Sequence, residues 1–181
     1  MCGIAGIAGH PAPGEAAPAV GRMNEAQRHR GPDAGGLWSD AHVALGHRRL
    51  KIIDLSSAAD QPFHSADGRH VLVFNGEIYN YRELRTELER LPGAAPFRTG
   101  SDTEVLAAAL AAWGTQALDR LLGMFAFAWW DRTERRLLLA RDRLGIKPLY
   151  VHEDGGRLAF ASELRALLAS GLVPRALDPD G

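Results

Sequence analysis

Short apolar runs of strand length lie towards both ends of the 181-residue chain, and two apolar patterns of helical spacing lie in its middle. That order constrains the fold more than any other feature. Residues 3–8 read as a short buried strand at the start of the chain. Residues 41–46 and 49–53 read as further strands, with a polar loop over 54–68 behind them. Residues 70–74 (H-V-L-V-F) form a strand that runs into Asn75-Gly76, a dipeptide that favours positive φ and a sharp turn. Over 79–91, Tyr81, Leu84, Leu88 and Leu91 fall at helical spacing, and Pro92-Gly93 stops the helix. Ser101-Asp102-Thr103-Glu104 opens a second helix with a capping-box pattern, continuing through Trp113. Strands are predicted at 124–130, 137–140, 149–152 and 158–160, then a short helix over 162–170 and a polar tail over 176–181. One more helix, over 15–30, is expected to be interrupted near Pro18 and Gly21 and to end at Arg30-Gly31-Pro32-Asp33. Strands flanking two adjacent helices predict an α+β layered fold rather than a regular βαβ sheet.

Charge and cysteine content narrow the function classes. The 21 basic and 22 acidic residues give a net charge of −1, so no global field draws the chain to nucleic acid or an acidic membrane. A single cysteine leaves no intramolecular disulfide to hold the fold. The longest wholly apolar stretch, 105–113, is far short of the roughly 20 residues that span a bilayer. The N-terminus has neither the basic region nor the long apolar run of a signal peptide. Myristoylation needs a glycine directly after the initiator methionine, and Cys2 stands there instead. The expected compartment is the cytoplasm, with no membrane or nucleic-acid partner.

The chemistry centres on Cys2. Methionine aminopeptidase removes Met1 when the next side chain is small, which would leave cysteine at the mature N-terminus. Such a residue carries nucleophile and base together, because its α-amine titrates at about 8 and can relay the thiol proton. A lone cysteine elsewhere would be read as an inert small residue; position 2 alters that reading. An attack on an amide carbonyl needs donors aimed at the developing oxyanion, and Asn75 with Gly76 offers a carboxamide and a glycine N–H. As a turn alone, Asn-Gly would be purely structural. Arg49 has the fork to hold a carboxylate. Asp102 could hold an ammonium, or simply satisfy N–H groups at a helix start. Together these groups are the parts needed to hydrolyse the side-chain amide of a free amino acid.

Met1-Cys2-Gly3-Ile4, Arg28-His29-Arg30-Gly31-Pro32-Asp33, His47-Arg48-Arg49-Leu50, Asn75-Gly76-Glu77-Ile78-Tyr79-Asn80 and Thr99-Gly100-Ser101-Asp102-Thr103-Glu104 occur in this order. So do Gly123-Met124-Phe125-Ala126-Phe127-Ala128, Arg141-Asp142-Arg143-Leu144-Gly145-Ile146-Lys147-Pro148-Leu149-Tyr150 and Ala161-Ser162-Glu163-Leu164. The set resembles class II glutamine amidotransferases, and more narrowly the N-terminal glutaminase domain of glutamine-hydrolysing asparagine synthetases. The resemblance implies an N-terminal-nucleophile hydrolase fold, a four-layer α/β/β/α sandwich of two antiparallel sheets, over 1–170. A linker to a synthetase domain would begin over 171–181. It implies that Cys2 forms a γ-glutamyl thioester and that Asn75 and Gly76 make the oxyanion hole. Arg49 would bind the α-carboxylate of L-glutamine, Asp102 and Glu77 the α-amino end, and the backbone from Leu50 to Ile53 would line the pocket. Arg30 to Asp33 would form a structural and gating loop with no catalytic proton.

Other features are assigned to packing or to nothing. The aromatics of 125–130 alternate as core residues do along a strand. The seven histidines (10, 29, 42, 47, 64, 70 and 152) show no metal-ligand spacing. Gly145-Ile146-Lys147-Pro148 lacks the spacing of a phosphate loop. No cofactor is expected in this domain. ATP and magnesium would belong to an ATP-pyrophosphatase synthetase domain or subunit that receives the ammonia, and no pyrophosphate loop of that kind occurs in the chain. The resemblance admits a homodimer. It also admits an acceptor other than aspartate, since β-lactam-forming synthetases resemble the same family. A rival expectation is a catalytically idle module that binds glutamine or docks a synthetase.

Overall fold

The computed structural model describes residues 1–9 and 14–175. The tail over 176–181, with most of the expected linker, lies outside them. Among the described residues, nine strands form two antiparallel sheets. One has the order β2-β3-β1-β9-β8 and the other β4-β5-β6-β7. The first is built from β1 (Gly3–Gly9), β2 (Ala34–Ser39), β3 (Val43–Arg49), β8 (Tyr150–Asp154) and β9 (Arg157–Ala161). The second contains β4 (Phe63–His64), β5 (His70–Ile78), β6 (Gly123–Asp131) and β7 (Arg136–Arg141). Helices α1 (Ala16–Ala26) and α4 (Leu164–Ala169) cover the first sheet, while α2 (Tyr81–Leu88) and α3 (Asp102–Trp113) cover the second.

Three apolar cores separate these four layers, as side-chain alternation along a strand requires. Between the sheets lie Ile4, Val43, Leu45, Val71, Val73, Ala126, Ala128, Trp130 and Phe160. Their neighbours of opposite parity face outward: Ala5, Ile7 and Ala44 pack under α1 and α4, and Leu72, Phe74, Phe125 and Phe127 under α2 and α3. The aromatic run of β6 is thus core, as its alternation predicts. Parity also fixes the chemistry. Cys2 continues the Ile4 series, Arg49 the Val43–Leu45 series and Asn75 the Val71–Val73 series. All three therefore project towards the gap between the sheets, at one end of it.

The structure corrects four local expectations. Residues 50–53 are loop, not strand, because β3 ends at Arg49 and the chain then leaves the sheet. Strand β2 has no counterpart among the expected elements; its small Ala34-Gly35-Gly36 start carries little periodicity, yet it pairs with β3 along its whole length. Helix α1 is uninterrupted. Pro18 sits in its first turn, where the missing N–H is not needed, and Gly21 is simply helical. Asn75-Gly76 does not turn: both residues stay within β5, paired with Ala126 and Phe125. Gly76 serves close approach instead, since a Cβ there would run into the Met124 carbonyl and the Phe74 ring. The predicted helix start at Ser101 is present, with Ser101 Oγ accepting from Glu104 N at 3.3 Å. The Glu104 carboxylate turns to Thr99 N and Oγ1, both at 2.7 Å, and so fixes the loop that delivers Asp102.

Candidate active site

A cavity of about 240 Å³ opens where β1, β3, β5 and the start of α3 converge. Cys2, Arg49, Leu50, Ile53, Asn75, Gly76, Glu77 and Asp102, the residues singled out from the sequence, all line it. A larger cleft of about 410 Å³ lies between the 91–98 loop and α3. Its walls are mostly Ala, Pro and Phe, and its buried carboxylate, Glu104, is already taken up by backbone N–H groups. The chemistry belongs to the smaller cavity.

Cys2 is half-buried, and its Sγ contacts both backbone polar groups of one residue: Leu50 N donates to it at 3.4 Å, and Leu50 O lies 3.7 Å away. Burial pushes the thiol pKa up, and the Leu50 contact opposes that. Arg30, from the turn after α1, donates from Nε to Cys2 O at 2.9 Å and from Nη1 to Glu163 Oε1 at 3.2 Å. The structural half of the expectation for the 30–33 loop is seen in these contacts. Asp33 Oδ2 adds to it by accepting from Lys51 N at 2.9 Å.

Asn75 is 1% exposed, and its Nδ2 has no hydrogen-bond partner. A buried carboxamide donor left unpaired costs about 1–3 kcal/mol; here it belongs to a residue that lines the cavity beside Cys2. Asp102 is 5% exposed and heads α3, with Oδ2 accepting from Ile78 N at 3.0 Å. Burial raises its carboxyl pKa to about 6, and the Glu77 charge adds to the rise against the backbone N–H groups. A cation placed beside it would reverse that shift.

Arg49 borders the cavity, but its guanidinium is also tied to the wall behind it. Nη1 donates to Ser56 O at 2.8 Å and to Asp60 Oδ1 at 2.5 Å, and Nη2 donates to Asp54 O. It ties down the 54–60 loop as well as presenting charge to the site. Asp54 extends this wall by accepting from Gly100 N at 2.9 Å.

Lys147 and Gln61 are among the lining residues that escape a reading of the sequence. Lys147 is 6% exposed, with Nζ 3.5 Å from Met1 Sδ. Its motif carries no phosphate-loop spacing to draw attention, and its nearness to the N-terminus is visible only in three dimensions. Gln61 sits in what reads as a featureless polar loop. Among the described residues, no three His, Cys, Asp or Glu side chains gather as a metal-ligand set.

Two antiparallel sheets between helical layers, with a cysteine at the head of β1 sharing one cavity with an unpaired carboxamide and a buried carboxylate, are the N-terminal-nucleophile hydrolase fold. The comparisons agree, and the chain belongs to the glutamine amidotransferase domain family, whose model matches residues 1–181. Asparagine synthetase [glutamine-hydrolyzing] 1 of Bacillus subtilis is 43% identical over 94% of this chain and 27% of its own length. Asparagine synthetase B [glutamine-hydrolyzing] of Escherichia coli is 43% identical over 81% of this chain and 26% of its own. The chain thus spans about a quarter of these relatives. Among solved structures, the glutamine phosphoribosylpyrophosphate amidotransferase of B. subtilis superposes with a TM-score of 0.77 at 27% identity. That match covers 94% of this chain and 44% of the other.

Proposed function

We propose that the chain hydrolyses L-glutamine to L-glutamate and ammonia through a thioester on Cys2, once Met1 has been removed. In this reading the thiol attacks the γ-amide carbon and its proton passes to the α-amine. Asn75 Nδ2 and Gly76 N–H stabilise the oxyanion, and the α-amine returns the proton to the departing ammonia. Water then cleaves the thioester, giving glutamate and the free thiol. Arg49 takes the α-carboxylate, Asp102 and Glu77 take the α-ammonium, and Leu50 to Ile53 form the wall. The observation that carries the reading is the convergence of Cys2 with an unpaired Asn75 donor in one small cavity. Ammonia release from glutamine by the mature chain, its loss in Cys2→Ala, and mass spectrometry of the N-terminus test it.

The ammonia would serve an ATP-dependent amide-forming synthetase of the asparagine synthetase kind, in the same polypeptide or a separate subunit. ATP and magnesium would belong to that partner, with no cofactor in the hydrolytic step. Exposed Leu122, Leu144, Ile146 and Ile52 support a covering partner. Each is, or lies within three residues of, a residue lining the cavity, and apolar groups concentrated at one surface mark interaction sites. The cytoplasm is the proposed setting. Among the described residues no helix is long and apolar enough to cross a membrane. A second reading, an idle glutamine-binding module, is favoured by the raised thiol pKa and by the engagement of Arg49 in its own loop. Calorimetry with glutamine beside the ammonia assay separates the two: binding without release supports the module.

A further inference from the structure

Strand β5 has an edge that β4 covers only at Val71 and Leu72. In an antiparallel strand, successive residues turn their N–H and C=O groups to opposite neighbours. The even-numbered residues of β5 face away from β6: His70 O accepts from Ser65 N at 3.0 Å, and Ile78 N donates to Asp102 Oδ2 at 3.0 Å. Phe74 belongs to this series but has no strand beside it. The Gln61 carboxamide takes both of its backbone groups instead, with Oε1 accepting from Phe74 N at 2.6 Å and Nε2 donating to Phe74 O at 3.2 Å. His47, held neutral by a burial-lowered pKa of about 3, adds a donor to the same carbonyl at 3.0 Å. Gln61 Nε2 also lies 3.4 Å from Thr103 Oγ1, next to Asp102. Gly76 is the even residue between Phe74, held by Gln61, and Ile78, held by Asp102, so its N–H is turned to the open edge and the cavity.

We propose that Gln61 is a positioning residue for glutamine hydrolysis. Its carboxamide replaces a strand peptide at Phe74 and thereby fixes the angle at which Gly76 N–H and the Asn75 side chain meet the oxyanion, in register with Asp102. The inference rests on the hydrolytic reading above. Oxyanion donors accelerate a reaction because they are aimed before the charge appears. An edge strand released at Phe74 can tilt, and a small tilt spoils that aim. A purely structural Gln61 would change the folded fraction and leave each folded molecule as active as before.

Gln61→Met keeps the volume and loses all three contacts. Gln61→Glu keeps the acceptor for Phe74 N and loses the donors to Phe74 O and Thr103, and it supplies the same readout if the first variant fails to fold. Ammonia release per folded molecule is measured for the mature chain, with L-glutamate γ-semialdehyde as inhibitor. That aldehyde forms a thiohemiacetal on Cys2 whose oxygen enters the donor site. Both variants are expected to lose roughly 10- to 100-fold in kcat with KM within about threefold, and semialdehyde binding weakens in parallel with kcat. Gln61→Met with Asn75→Ala loses less than the product of the two single effects, because both act on one hole. Unchanged kcat per folded molecule, or a rise in KM alone, overturns the inference while leaving wild-type hydrolysis intact. A mature wild-type chain that releases no ammonia overturns the hydrolytic reading, and this inference with it.

Discussion

The backbone of one residue brackets the nucleophile: Leu50 N–H donates to Cys2 Sγ at 3.4 Å, and Leu50 O sits 3.7 Å from the same sulfur. The N–H favours a thiolate and the carbonyl favours a thiol, while burial pushes the thiol pKa up. Attack near neutral pH therefore needs a base at the sulfur.

That base is expected to be the α-amine of Cys2 itself. A chain retaining Met1, or carrying an N-terminal extension, should release no ammonia, while the mature chain should. An N-terminally extended form that turns over at the mature rate would remove the α-amine from the mechanism.

Asn75→Ala should separate activity from stability. The Nδ2 group has no partner to lose, so the melting temperature should stay level or rise. The kcat should fall by roughly 10²–10³. A lower melting temperature with kcat unchanged would make Asn75 a core residue only.

Gly76→Ala tests close packing. The added Cβ meets the Met124 carbonyl and the Phe74 ring and comes within 2.8 Å of Phe125 Cα. Overpacking of this kind costs about 1–3 kcal/mol, read as a lower midpoint in a denaturant melt. Unaltered stability would mean that β5 and β6 separate more easily than their register implies.

Asp102 predicts a pH dependence with a definite sign. Its carboxyl is raised to about 6 when folded, against about 3.9 unfolded. The folded chain thus holds a proton there between those values and the unfolded chain does not. Its ionised form opposes stability above pH 6, and that opposition fades as pH falls towards 4. Binding an ammonium needs the ionised form, so KM for glutamine should rise as pH falls through 6. Asp102→Asn should match or exceed the wild-type melting temperature at pH 8, with KM raised and the acidic limb gone. An acidic limb that survives in Asp102→Asn would belong to another group.

Arg49→Lys should not be conservative. A single ammonium cannot hold Asp60, Ser56 O and Asp54 O together. Limited proteolysis should cut the 50–57 loop faster, and KM should rise more than kcat falls. Equal proteolysis rates would show that the loop closes without the guanidinium.

Much of this was readable from the residues. The short apolar runs that became β1, β5, β6, β7 and β9, and the apolar faces of α2 and α3, lie within short windows where the local pattern speaks for itself. The identities of Cys2, Arg49, Asn75, Gly76 and Asp102 were also legible, through their chemistry and their resemblance to a family. Strand β2 was not, since Ala34-Gly35-Gly36 has almost no hydrophobic signal and forms only because β3 offers it a partner.

What the sequence determined by itself is which face each residue takes: parity along a strand and position on a helix are set by the backbone. The tertiary structure alone decided what stands opposite. Asn75-Gly76 has the makings of a turn, yet pairing with Ala126 and Phe125 keeps it extended, because ladder bonds and burial outweigh a local preference. Gln61 and Lys147 become part of the site for the same reason: their partners lie far along the chain, and no local pattern encodes a distance in space.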